Sequence, residues 1–124
     1  MAIHALMPVL TLQELHDPAT GRLDACRVAE FLKIPLKKLA EGLGKNYSTV
    51  HKTPTAPSLQ PRLQSIERIL EILEDVFADR AQVLAWLNHP HPDLGKRTPL
   101  DVICEGYPDA VEDMLEAALM GIPS

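Results

Sequence analysis

The chain has 124 residues, 46 % of them apolar but only 4 % aromatic, with two cysteines and a net charge of −5. That length suits one compact domain or two very small ones, and an apolar content carried by Leu, Ala, Ile and Val points to an all-α protein rather than a sheet. No apolar run approaches the roughly 18–20 residues that span a bilayer, and residues 1–12 contain no Lys or Arg, so neither a membrane span nor a signal peptide is expected. Cys26 and Cys104 belong to no CxxC pair and read as reduced, buried or half-buried thiols, which fits a cytoplasmic protein.

The net charge hides an asymmetry. Between Arg22 and Arg62 eight basic residues stand against three acidic ones, a local +5, while the remainder of the chain carries −10. A basic block inside an acidic chain implies different partners for its two parts; chance clustering on a solvated face is the alternative.

In chain order, Leu10, Leu12 and Leu15 are placed to pack on the first helix, and His16-Asp17-Pro18 reads as a turn. Asp24 is a suitable N-cap, and Cys26, Val28, Ala29, Phe31 and Leu32 give an approximate helical stripe ending near Lys33. Ile34-Pro35 breaks that helix, and Pro35 can occupy the first position of the next. Leu36, Leu39, Ala40 and Leu43 then fall at i, i+3, i+4 and i+7, on one helical face. Gly44 ends this helix, and a short polar helix follows from an Asn46 cap, with Val50 pointing inward.

This is helix–turn–helix spacing. Ala40 lets the two helices approach, Gly44 turns the chain, and Val50 plugs the second helix onto the first. The second helix would enter a major groove about 12 Å wide, presenting Lys45, Tyr47, Ser48, His51 and Lys52. Lys45 departs from the usual pattern, which has an apolar residue after the glycine, and so loosens the turn. A three-helix packing unit with no DNA role is the alternative.

Residues 58–77 form the longest helical signal, with Leu59, Leu63, Ile66, Ile69, Leu70, Ile72, Leu73, Val76 and Phe77 in a broad stripe. A stripe this wide either joins two subdomains or pairs with a twin across a two-fold axis. Asp79 caps the next helix, whose apolar residues are Ala81, Val83, Leu84, Trp86 and Leu87. Asn88 and Pro90 end it, and a polar loop crosses to Thr98-Pro99, a cap followed by a first-turn proline. Val102, Ile103 and Cys104 carry that helix to Gly106. Val111, Met114, Leu115, Ala118 and Leu119 mark the last amphipathic helix, before the tail Met120 to Ser124.

Catalytic chemistry finds little support. His89 and His91 are two residues apart with no Cys or third His at zinc-ligand spacing, so no metal and no cofactor is expected. Neither cysteine has a recognisable base partner, Gly42-Leu43-Gly44 is a helix end rather than a phosphate loop, and Asp109, Glu112, Asp113 and Glu116 look like a solvated face. The chain is not expected to be an enzyme.

Trp86-Leu87-Asn88-His89-Pro90-His91-Pro92-Asp93-Leu94-Gly95-Lys96-Arg97-Thr98-Pro99-Leu100 resembles the W-L-x-x-P-x-P-x-L-G-x-R-T-P-L signature of the Xre/MbcA/ParS toxin-binding domain. The closing stretch from Ala110-Val111-Glu112-Asp113-Met114-Leu115 to Gly121-Ile122-Pro123 also fits that domain, and Gly21 through Lys52 resembles the Xre-type helix–turn–helix that precedes it. The resemblance implies an Xre-like helix–turn–helix region over 1–57, a connecting or dimerisation helix over 58–78, and a small helical toxin-binding domain over 79–124. It also implies the antitoxin of a type II pair. The partner would be a RES-domain toxin that consumes NAD or transfers ADP-ribose from it; the antitoxin would cover the NAD pocket and repress the shared operon by binding operator DNA. A homodimer or a larger complex with the toxin is expected.

By matching position, Gly95, Lys96, Arg97 and Thr98 belong to the signature loop of the toxin-binding domain. The tail residues Met120, Ile122, Pro123 and Ser124 are our own addition to the toxin contact, as a free apolar end on a rigid helix. Arg97 has a structural alternative, capping the end of the Trp86 helix. A stand-alone DNA-binding regulator with a C-terminal dimerisation module is the competing function.

Overall fold

The computed structural model describes residues 12–121; Leu10 and the tail residues Ile122, Pro123 and Ser124 lie outside them. The described residues form seven α-helices: α1 (Ala25–Leu32), α2 (Leu36–Gly42), α3 (Tyr47–Lys52), α4 (Gln60–Val76), α5 (Arg80–Leu87), α6 (Pro99–Cys104) and α7 (Pro108–Leu119). Single turns of 3₁₀ helix at Gln13–Leu15, Pro57–Leu59 and Pro92–Leu94 link them. No β-strand occurs among the described residues, only isolated bridges between His16 and Leu23 and between His91 and Arg97. The all-α expectation holds.

Local chemistry sets the helix ends. The Asp24 carboxylate accepts from the Cys26 and Arg27 amides and starts α1, because the first amides of a helix have no partner within it. Lys33 closes α1 with φ 57°, a left-handed turn that frees Pro35 to start afresh. Pro35 proves to be the N-cap of α2, one residue earlier than expected. The Asn46 Oδ1 accepts from the Thr49 amide and caps α3, and Gly44 makes the preceding turn at φ 73°.

The buried residues form one continuous cluster drawn from both halves of the chain. In α4, Leu63, Ile66, Ile69, Leu70 and Leu73 are all buried, each contributing about 1.5–3 kcal/mol over the exposed state. The breadth of that stripe is used inside the chain: α4 packs along α7 and also against α5. Only Val76, in the last turn, stays exposed. The Ser65 hydroxyl donates to Glu112 Oε1 at 2.7 Å and Arg68 pairs with Glu112 at 3.5 Å. Pro61, Arg62 and Ser65 share a small cleft with Tyr107, Pro108 and Asp109, so α4 and α7 begin at the same end and run side by side.

Several contacts bind the N-terminal segment to the rest. The Gln60 side chain accepts from the Leu23 amide at 3.0 Å and donates to the Leu23 carbonyl at 2.9 Å, as a strand partner would. The His16 ring bridges the Gly21 carbonyl at 2.8 Å and Glu67 at 2.5 Å. Most directly, α2 packs on α6 at Gly42, where an added Cβ would meet the Ile103 carbonyl oxygen at 2.7 Å and Cys104 Cα at 2.9 Å. Only a glycine permits that backbone approach.

Candidate functional site

The sequence of the α5–α6 connection dictates a closed loop. Pro90 and Pro92 have no amide hydrogen to donate, so pairing falls to His91. Its amide donates to the Arg97 carbonyl at 2.9 Å, and its carbonyl accepts from the Leu94 and Lys96 amides. The Gly95 amide donates to Pro92 and the Arg97 amide to Leu94. Below this ring, Trp86 is half-buried with its ring 6.3 Å from that of His91, and Leu94 packs against the core.

At the tip, Gly95 and Lys96 both have φ 67°. Gly95 has open space around its missing Cβ, so the left-handed backbone alone, and not crowding, favours glycine there. Lys96 has no such freedom, and a left-handed L-residue costs about 1–2 kcal/mol. Such strain persists where surrounding bonds over-determine it, and here the ring around His91 does so. The loop is thus held in shape with Gly95, Lys96 and Arg97 exposed. Thr98 is at its base, half-buried, its hydroxyl accepting from the Asp101 amide at 2.9 Å to cap α6.

Arg97 does not cap the Trp86 helix. Asn88 takes that role, its side-chain amide donating to the Leu84 carbonyl at 2.8 Å. Arg97 forms an ion pair with Glu105 at the far end of α6, the acidic partner lying where the unpaired carbonyls of that helix would otherwise attract a cation. The loop charge is therefore shared with Glu105, a residue that the sequence did not single out.

Of the tail residues proposed for contact, Met120 alone falls within the described residues. It is the C-cap of α7 and is 73 % exposed, beside Leu119 at 60 %. Leu119 and Ala118 were expected in the buried stripe, but α7 has outrun the core by its last turn and buries only Pro108, Val111 and Leu115. Because α4 and α7 run side by side, the exposed Val76 stands at the same end as Leu119 and Met120. Glu71, Asp75 and Asp113 are exposed on the same two helices. Met120 is thus on a different element from the loop tip.

The basic segment forms a second candidate surface. Lys45, Tyr47, Ser48, His51 and Lys52 are all exposed, while Val50 is fully buried and seats α3 on the core. Tyr47 and His51 stack with ring centroids 5.4 Å apart. The Ser48 hydroxyl donates to the Asn46 cap at 3.1 Å, which leaves it less available than its exposure implies.

The remaining chemistry is structural. Among the described residues no group of three or more His, Cys, Asp or Glu stands ready to hold a metal. Burial pushes both thiols up from their ordinary range, with nearby acids adding to the effect, and such thiols are poor nucleophiles. No helix among the described residues is long and apolar enough to cross a membrane.

Residues 73–120, from the last turn of α4 to the end of α7, match the family described as the Antitoxin Xre/MbcA/ParS C-terminal toxin-binding domain. The fold as a whole is similar to that of a chain in the crystal structure of the M. tuberculosis MbcT-MbcA toxin-antitoxin complex, with a TM-score of 0.53 and 19 % identity over 81 % of this chain and 94 % of that one. No curated protein matches the chain. The family match is to this C-terminal segment, and the likeness to the solved complex, at that identity, is one of fold.

Proposed function

We propose that this chain neutralises a RES-domain toxin by covering its NAD pocket, and that it represses its own operon through α3. The observation carrying the first half is the closed His91–Arg97 loop, strained at Lys96 and displayed within the matched toxin-binding segment. A preorganised loop binds without the ordering cost a floppy one would incur. The acidic helices behind it suit a basic cleft built for a dinucleotide's phosphates, since complementary potentials orient docking. Neutralisation is then occlusion, with no chemistry by this chain. Met120, with Ile122, Pro123 and Ser124 beyond it, is the second contact we assign to the toxin.

The second half rests on the exposed Lys45, Tyr47, Ser48, His51 and Lys52 in a segment of net positive charge. The deciding experiment mixes the purified chain with the toxin encoded beside it and follows NAD. Stoichiometric antitoxin should stop consumption. Undiminished consumption, with no complex on co-purification, would instead favour a stand-alone regulator.

A further inference from the structure

We infer that Arg62, on α4 and outside the helix–turn–helix segment, is a contact to the DNA phosphate backbone; this rests on the operator-binding reading above. The position of the side chain carries the inference. Arg62 Nη1 donates to the Gly42 carbonyl at 2.9 Å, at the end of α2. The same nitrogen is 3.0 Å from where a Cβ on Gly44 would stand. The guanidinium therefore lies against the α2–α3 turn, next to Lys45 and the Asn46 cap, though twenty residues separate Arg62 from Gly42 in sequence. The residue as a whole is exposed. One of its five donors is used by Gly42, and this anchors the fork while others remain to meet an anion.

The surroundings fit a phosphate better than a base edge. The cleft beside Arg62 is lined by Pro61, Ser65, Gly106, Tyr107, Pro108 and Asp109. Ser65 is already bonded to Glu112, and the other hydroxyl on the wall, that of Tyr107, is of a kind that donates to phosphate oxygens. Lys45 and Arg62 flank the turn that leads into the DNA-facing helix, and contacts there fix register without carrying sequence information. Asp109 is the one acidic group on that wall and opposes the contact.

The test measures binding of the full chain to a duplex of its own promoter between 50 and 200 mM salt, beside a scrambled duplex. Each phosphate neutralised adds about 0.9 to the slope of log affinity against log salt. Wild type should therefore lose about 3.5-fold more affinity across that range than Arg62→Gln, on both duplexes. Arg62→Lys, which keeps the charge, should retain the wild-type slope. A purely structural Arg62 would weaken binding with the slope unchanged in Arg62→Gln, and that result overturns the inference. Asp109→Asn serves if Arg62→Gln does not fold: it should bind both duplexes more tightly, and unchanged binding would count against the contact. Inorganic phosphate at matched ionic strength should compete no better than chloride; specific competition would make the site one for free phosphate. If wild type binds neither duplex, the operator reading itself has failed, an outcome distinct from an unchanged slope.

Discussion

Gly42→Ala probes the joint between the two halves of the molecule. The added methyl would stand 2.7 Å from the Ile103 carbonyl oxygen, 2.9 Å from Cys104 Cα and 3.2 Å from the Cys104 carbonyl carbon. Carbon atoms pack at about 3.5–4.0 Å, so α2 and α6 must separate by more than half an ångström. Both obstacles are backbone, and no flexible side chain can swing aside. Overpacking of this kind costs about 1–3 kcal/mol. Alanine recovers at most about 1 kcal/mol of helix propensity, and less at Gly42, the last residue of α2. Displacing the Gly42 carbonyl from Arg62 removes a bond worth about 1 kcal/mol. The net loss is about 1–3 kcal/mol, and at about 4 °C per kcal/mol for a chain of this size the melting temperature should fall by about 4–12 °C. Thermal unfolding by circular dichroism measures it. Gly42→Asn should be worse, whereas Gly95→Asn should be tolerated, because Gly95 needs a left-handed backbone and has room for a side chain. An unchanged or raised melting temperature for Gly42→Ala would refute the tight α2–α6 joint.

Three further outcomes are expected. Burial opposes charge on the His16 ring, but the Glu67 hydrogen bond, the Gly21 carbonyl and the charges of Glu67 and Glu71 outweigh it and raise its pKa; the stabilisation is then complete below about pH 6.5 and is lost as pH rises through the folded-state value. Melting temperature should accordingly fall between pH 6 and 8.5, and the part due to this pair should vanish in Glu67→Gln. Thr98→Ala removes the α6 cap and should cost about 1 kcal/mol, with Thr98→Ser restoring most of it in chemical unfolding. Arg97→Glu combined with Glu105→Arg rebuilds the ion pair in reverse; it should fold normally yet inhibit the toxin more weakly than wild type, and full inhibition would remove Arg97 from the contact.

Much of the fold is legible because it depends on neighbours in sequence. Asp24, Asn46, Asp79 and Thr98 cap the helices they precede, since a side chain can reach an amide two or three residues on without help from the rest of the molecule. The burial of Leu39, Ala40 and Val50 follows from helical period. The loop signature likewise marks its own segment, whereas the left-handed turn at Gly95 and Lys96 emerges only in the structure. Misplacements arise where an element outruns its partner, as at Leu119, which has the right period but no core left to bury it.

The sequence by itself determined the helices, their caps, the charge division and the signature loop, all consequences of backbone preference and short-range bonding. Only the tertiary structure decided what the long stripe of α4 is for, that Arg97 pairs with Glu105, and that Arg62 reaches back to Gly42 and the turn at Gly44. Those depend on which helix faces compete for the same core, and on a separation between α2 and α6 that only Gly42 allows. Periodicity says which face of a helix is buried, but the choice of neighbour is set by the packing of all the described helices at once.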